Sequence, residues 1–290
     1  MDKVAIMTDT VSHMSEEMAK KNNITMVPLH VTIDSKTYAE NEVDLNWFYK
    51  QMPLWKRDDR LPLTSSPSAG DFFQAYQNLS KVAKSILYIG YSPKLGMAID
   101  AALQAKTMAQ RQLPNIDIEV VGSLTACGAQ MLVVLEACRA AAKGRTLPEV
   151  LQVANTMIQK VSFIYLSDDL YYLAKGGRIH KARPWAGSKV TNTVLLEMDA
   201  TTGGENSPLA RCRTKGQALQ TLFEIVKEGS KGKRLHVGIN HADALVEAKE
   251  LRDKTLSQFD CAEIYITPIL PVVTTHTGLG SRWFSWWSED

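Results

Sequence analysis

"KSILYIGYSPKLGMAIDAALQAKTMAQRQLPNIDIEVVGS", Lys84 to Ser123, changes its apolar period and then changes back. "KSILYIGY" reads as a strand. A Ser-Pro-Lys turn follows, then "GMAIDAALQAKTMAQRQL" reads as a helix and "IDIEVVGS" as a second strand. Strands joined through a helix lie parallel, with the helix on one face of the sheet.

The same rhythm extends outward. Upstream, "KVAIMTD" ends a strand at Asp9, "ITMVPLHVTI" is a further strand, and "DFFQAYQNL" sets Phe72, Phe73, Tyr76 and Leu79 on one helical face. Downstream, a long Ala-rich helix stops at Gly144, and "TLPEVLQVANTMIQKV" opens with Thr146 and Glu149 at capping-box spacing and Pro148 in its first turn. Beyond Val161 the alternation changes: strand candidates "FIYLSD", "TNTVLLEMDA", "ARCRT", "RLHVGIN" and "EIYITPI" are broken only by helices at Gly216–Glu228 and Ala242–Phe259. The expected fold is α/β with two domains. Residues 1–160 form a parallel sheet with helices on both faces, residues 161–290 a mixed α+β unit, and a ligand lies between them.

Composition narrows the function. At 290 residues, 45% hydrophobic and 22% charged, the chain fits a globular protein. A net charge of +2 from 33 basic and 31 acidic residues gives no electrostatic case for nucleic acid. The four cysteines, Cys127, Cys138, Cys212 and Cys261, form no CxxC pair, which argues against a zinc site or a disulfide framework. The six histidines are scattered without metal-ligand spacing. "MDKVAIMTD" is too short an apolar run for a signal peptide, and no segment approaches the ~18 apolar residues of a membrane span. A cytoplasmic protein with no cofactor is the expectation.

Ligands in open α/β sheets gather beyond the C-terminal ends of the strands, and small polar residues collect at several such ends. In "TDTVSHMS" (Thr8–Ser15), Asp9 offers an acid, a metal ligand, or simply a cap for the next helix. "LTSSPSAGDFF" (Leu63–Phe73) presents Thr64, Ser65, Ser66 and Ser68 ahead of a helix N-terminus, as an anion site or a redundant N-cap. "GYSPKLGMA" (Gly90–Ala98) holds Ser92 and Gly96 but lacks the spacing of a phosphate loop. In "KGGRIHKARPW" (Lys175–Trp185), Arg178 is placed to clamp an acid or to tie down its loop. Finally "PVVTTHTGLGS" (Pro271–Ser281) reads as a loop in which an apolar run gives way to Thr274, Thr275, His276 and Thr277. There is no G-x-S-x-G. Hydroxyls, glycines, an Arg and a His suit holding an anion rather than breaking a bond.

Taken in order, "TDT" at residue 8, "VPLHVTI" at 27–33, "TSSPSAGDF" at 64–72, "LAKGGRI" at 173–179, "CRT" at 212–214 and "THTGLG" at 275–280 resemble the DegV family. Its members are fatty-acid-binding carrier subunits of the bacterial fatty acid kinase. The resemblance spans nearly the whole chain. It implies a long-chain fatty acid in an apolar tunnel between two domains, with its carboxylate presented to a separate kinase subunit for phospholipid metabolism. It further implies that Thr64 is a head-group hydroxyl, that Arg178 and Arg213 are positive groups near the site, and that Thr275, His276 and Thr277 complete the cradle, with Ser65, Ser92 and Gly96 in the neighbouring turns.

The chain also departs from the family's pattern. Where the family carries Ser-Ser-x-Leu-Ser-Gly-Thr, this chain reads "SPKLGMA": the gripping Ser is Gly96, and Gly-Thr is Met97-Ala98. Asp-Ser is Gly122-Ser123, Ile-Lys-Pro-Ile is Asn192–Leu195, and the Pro of the His-Thr-Gly-Pro-Gly loop is Leu279. One lost charge-assisted hydrogen bond costs roughly 1.5–3 kcal/mol, against about 0.8 kcal/mol gained per buried CH₂, so the tail dominates and the head group is less defined. Two other readings stay open: an enzyme using Asp9 or His276 as a general base in the same cleft, or a regulatory module on this fold. "RWFSWW", near the C-terminus, reads as a packed final element or as a docking patch.

Overall fold

A computed structural model describes residues 3–167, 169–185 and 193–290; Asn192 lies outside the described residues. In the first half the elements are β1 (Val4–Asp9), α1 (Glu16–Lys21), β2 (Ile24–Val27), β3 (His30–Ile33), β4 (Lys36–Ala39), α2 (Leu45–Arg57), β5 (Leu63–Ser65), α3 (Ala69–Leu79), β6 (Ser85–Gly90), α4 (Ala98–Gln112), β7 (Asp117–Gly122), α5 (Cys127–Ala142) and α6 (Leu147–Lys160). There follow β8 (Ser162–Ser167), α7 (Tyr171–Lys175), β9 (Thr193–Glu197), β10 (Ser207–Cys212), α8 (Lys215–Ser230), β11 (Leu235–His241), α9 (Leu245–Gln258), β12 (Cys261–Pro268), α10 (Pro271–Thr277) and β13 (Arg282–Ser288).

The β6–α4–β7 unit is the one read from Lys84–Ser123. Its strands belong to a four-stranded parallel sheet ordered β2-β1-β6-β7, in which Ile6 sits between Ile24 and Leu87. Every residue of β1 and β6 is buried, as both faces of a parallel sheet require. The chain leaves β1 toward β2 and leaves β6 toward β7, so the order reverses between β1 and β6. That switch point, beyond Asp9 and Gly90, is where such sheets bind ligands. The capping box of Thr146 and Glu149 is present at the start of α6.

"ITMVPLHVTI" is two strands rather than one. Pro28 has no N–H for a ladder, and the Leu29 N–H donates to Thr10 Oγ1 at 3.0 Å. β2 therefore stays in the parallel sheet, while β3 pairs antiparallel with β4 and β5 in a separate three-stranded sheet.

The last strand decides the second half. Its mixed sheet runs β10-β9-β8-β13-β11-β12, so the Trp-rich terminal segment is an interior strand, antiparallel to β8 and to β11. Trp283 and Trp286 are buried. This is the packed final element of the sequence reading, not a docking patch. One face of the sheet, with Phe163, Tyr165, Leu196 and Trp283, joins the core that includes β1, β6 and α5. The other face buries Ile164, Leu166, Leu195 and Phe284 under α8 and α9, with Leu222 and Leu251. Among the described residues no helix is long and apolar enough to cross a membrane.

Helix α5 lies between the parallel sheet and the mixed sheet, and its first turn meets β11 closely. The Gly128 N–H donates to Asn240 Oδ1 at 2.8 Å. A Cβ at Gly128 would lie 2.9 Å from both Asn240 Oδ1 and Ser285 Oγ, inside van der Waals contact. Gly128→Ala is expected to destabilise the protein by about 1–3 kcal/mol, read as a lower urea midpoint with an unchanged m-value.

Candidate ligand-binding site

A cavity of about 90 Å³ opens beside the switch point and is partly open to solvent. Its apolar wall comes from Val11, Leu29, Ala126, Phe163, Tyr165, Leu173, Met198, Val272, Val273 and Trp283. Tyr165 and Trp283 stand opposite one another on β8 and β13, with ring centroids 5.2 Å apart. The polar lining is Thr64, Ser65, Ser66, Tyr91, Arg178, Asn206, His276 and Thr277, with Leu95 and Gly96 beside them.

The polar groups are linked to one another. Thr64 Oγ1 and His276 Nε2 share a hydrogen bond of 2.8 Å. Two residues along the same extended segment, Ser66 Oγ and Tyr91 Oη share one of 2.7 Å. Arg178 donates through Nε to Leu95 O at 3.3 Å and through Nη1 to Gly176 O at 2.5 Å, while Asn206 Nδ2 holds Arg178 O at 2.7 Å. A Cβ at Gly176 would lie 2.2 Å from His276 Nδ1, so the Arg178 loop closes directly on the imidazole. Burial, with Arg178 adding to it, lowers the His276 pKa to about 3, so the ring is neutral at neutral pH.

The segment that carries His276 is a short helix, not the expected loop. Pro271 starts it, Tyr49 Oη donates to Ile269 O at 2.7 Å just ahead of it, and Glu40 Oε2 accepts the Val272 N–H at 3.0 Å. Glu40 also accepts from the Thr10 hydroxyl, and burial raises its pKa to about 7. Helical geometry uses up two of the threonines: Thr275 Oγ1 donates to Pro271 O at 2.9 Å and Thr277 Oγ1 to Val273 O at 3.1 Å. Thr277 still lines the cavity; Thr275 does not.

Six of the nine expected site residues thus come together: Thr64, Ser65, Gly96, Arg178, His276 and Thr277. Three do not. Ser92 is fully buried and donates to Gly204 O at 2.8 Å, tying its turn to the loop before β10. Arg213 is exposed on the turn into α8, and Thr275 is absorbed by its own helix. Asp9 caps the turn after β1, accepting from Val11 N at 3.0 Å, Gln130 Nε2 at 3.2 Å, Tyr88 Oη at 2.7 Å and Tyr91 N at 3.3 Å. Burial raises its pKa to about 6, and it is absent from the cavity lining. Tyr91 and Asn206 were missed by the sequence reading; Tyr91 directly follows the strand end in "GYSPKLGMA", a position where tyrosine carries no local signal. Glu136, His236 and Glu263 lie within reach of a common metal ion. Arg139 instead bridges Glu136 and Glu263, and none of the four lines the cavity.

The family model described as "Uncharacterised protein, DegV family" matches residues 3–288. The chain belongs to the DegV family. It is 28% identical over 287 residues to Protein DegV of Bacillus subtilis, covering 98% of each chain. The crystal structure of DegV from Bacillus subtilis, described as a fatty acid binding protein, superposes on this DegV-family chain with a TM-score of 0.88 at 26% identity, covering 100% of both. A DegV family protein from Thermus thermophilus, described for its fatty acid binding, gives a TM-score of 0.90 over 99% of this chain and 100% of that one; at 22% identity this likeness speaks for the fold alone.

The neutral His276 sets a pH dependence. With its folded pKa lowered from 6.5 to about 3, the unfolded chain takes up a proton in that window that the folded chain refuses. This contribution to stability is therefore full above pH 6.5 and is lost as pH falls toward 3. His276→Gln removes the term. The stability difference between wild type and His276→Gln, from urea midpoints, is expected to shift toward the variant between pH 7 and pH 4.

Proposed function

We propose that this DegV-family chain binds a long-chain fatty acid in the cavity between two units, residues 1–160 and 161–290. The observation that carries the reading is the Thr64–His276 hydrogen bond at the polar side of a cavity otherwise walled by aliphatic and aromatic side chains. A fatty acid needs this division: an apolar surface for the tail, and hydroxyl or N–H donors for a carboxylate. The fatty acid binding described for Bacillus subtilis DegV supports it. Burying the tail contributes about 0.8 kcal/mol per CH₂ before ordering costs. Arg178, within the polar lining, adds a positive field that favours an anionic head.

Binding without catalysis is part of the proposal. Asp9, the one acid near the switch point that the sequence marks as a general base, is enclosed by Tyr88, Gln130 and backbone N–H groups. It stands outside the lining that contains His276. We propose further that the bound carboxylate is presented to a separate kinase subunit, in the cytoplasm; the family resemblance supports that step, and four free cysteines suit a reducing compartment.

Isothermal titration with palmitate on delipidated protein is expected to give one site. Thr64→Val and His276→Ala should each weaken it by roughly ten- to a hundredfold, the loss of one charge-assisted bond. Absence of saturable uptake, or variants indistinguishable from wild type, contradicts the reading.

A further inference from the structure

The polar lining holds a second pair of hydroxyls that the Thr64–His276 pair does not explain. Thr64 and Ser66 are two residues apart on an extended segment, so their side chains leave it on the same side. One meets His276 and the other meets Tyr91. Tyr91 is 4% exposed, yet both it and Ser66 line the cavity. The room for the phenol comes from Gly96: a Cβ there would lie 2.6 Å from Tyr91 Oη and 3.1 Å from Ser66 Oγ. Any side chain at position 96 and the hydroxyl of Tyr91 therefore compete for one place.

We propose that Tyr91, oriented by Ser66, is the second head-group donor of this site, and that Gly96 is the residue that admits it. This rests on the fatty-acid reading and sharpens it: the ligand's polar end is an anion with acceptors for two separate donors, as a carboxylate has, rather than an alcohol. Ser66 Oγ accepts the Met97 N–H at 3.1 Å and shares a hydrogen bond with Tyr91 Oη. In the proposed arrangement Ser66 donates its proton to Tyr91 Oη, which leaves the phenol proton for the ligand. Burial, the largest influence, raises the Tyr91 pKa to about 12, so the phenol keeps that proton. Arg178 is close enough to act on the same hydroxyl, which places a positive charge beside the two donors.

The test compares palmitate with hexadecanol, which shares the tail and lacks the acid, on wild type, Tyr91→Phe, Ser66→Ala, Gly96→Ser and the double variant Tyr91→Phe/Gly96→Ser. Melting temperatures establish that each variant is folded. Tyr91→Phe is expected to lose palmitate affinity by about ten- to a hundredfold while hexadecanol changes by less than about threefold. Gly96→Ser alone should also lose palmitate, since the new side chain displaces the phenol. In the double variant the serine takes the vacated place and palmitate affinity recovers. Folded Tyr91→Phe that binds palmitate like wild type overturns the assignment and leaves the fatty-acid reading standing. An equal loss for acid and alcohol marks a packing role and also overturns it. Wild type that takes up neither probe overturns both readings.

Discussion

The molecule is organised by one helix that has almost no surface of its own. Of α5, only the far end and scattered positions reach solvent; Cys127 to Leu135 are buried without interruption. The reason is that two sheets claim it. Gln130 reaches Thr8 and Asp9 at the end of β1, while the Gly128 backbone is pressed against β11 and bonded to Asn240. A helix buried on nearly all sides is apolar or small at most positions; in "CGAQMLVVLEACRAAA" the exceptions are Gln130, which is hydrogen-bonded to Thr8 and Asp9, and Glu136 and Arg139, which pair with each other. The separation between the two sheets is thereby set by a packed backbone, and the cavity beside Ala126, ahead of the helix, inherits that rigidity.

Buried polar groups hold the cavity's edges from behind. Asp9 collects Tyr88 from β6, Gln130 from α5 and the Tyr91 N–H, so the ends of β1 and β6 cannot separate without stranding a carboxyl group in the core. Glu40 does the same for the helix bearing His276, accepting the Val272 N–H. Burial raises the pKa of both acids, to about 6 and about 7, because ionising a carboxyl group in the interior costs more than in water. The polar groups that face the cavity thus ride mainly on β5, turns and a short helix, while β8 and β13 supply its aromatic wall through Phe163, Tyr165 and Trp283.

Much of this was legible in the sequence. The β6–α4–β7 repeat, the capping box of α6, the hydroxyl run at Thr64 and the His276 segment all announce themselves through period or local chemistry. What stayed hidden depends on contacts between distant residues. Pro28 splits one apolar run between two sheets, and only the partners of each half reveal it. The threonines after Val273 look like a loop because threonine is a poor helix former, yet Glu40 and Pro271 secure a helix start there and two hydroxyls turn back onto the helix. Ser92 and Arg213 carry suitable chemistry at suitable places in the chain, but the fold spends one on Gly204 and leaves the other in solvent. Gly96 reads as a lost side chain until the Tyr91 hydroxyl is seen in the place that side chain would fill.

The central claim is that this cavity exists to hold an acyl chain. It is tested most directly by mass spectrometry of an organic extract of the purified protein, set against the native mass of the intact chain. The account predicts one C14–C18 fatty acid per chain, lost on extraction with the matching difference in mass. A native mass equal to that of the bare polypeptide, unchanged after incubation with excess fatty acid, would contradict it.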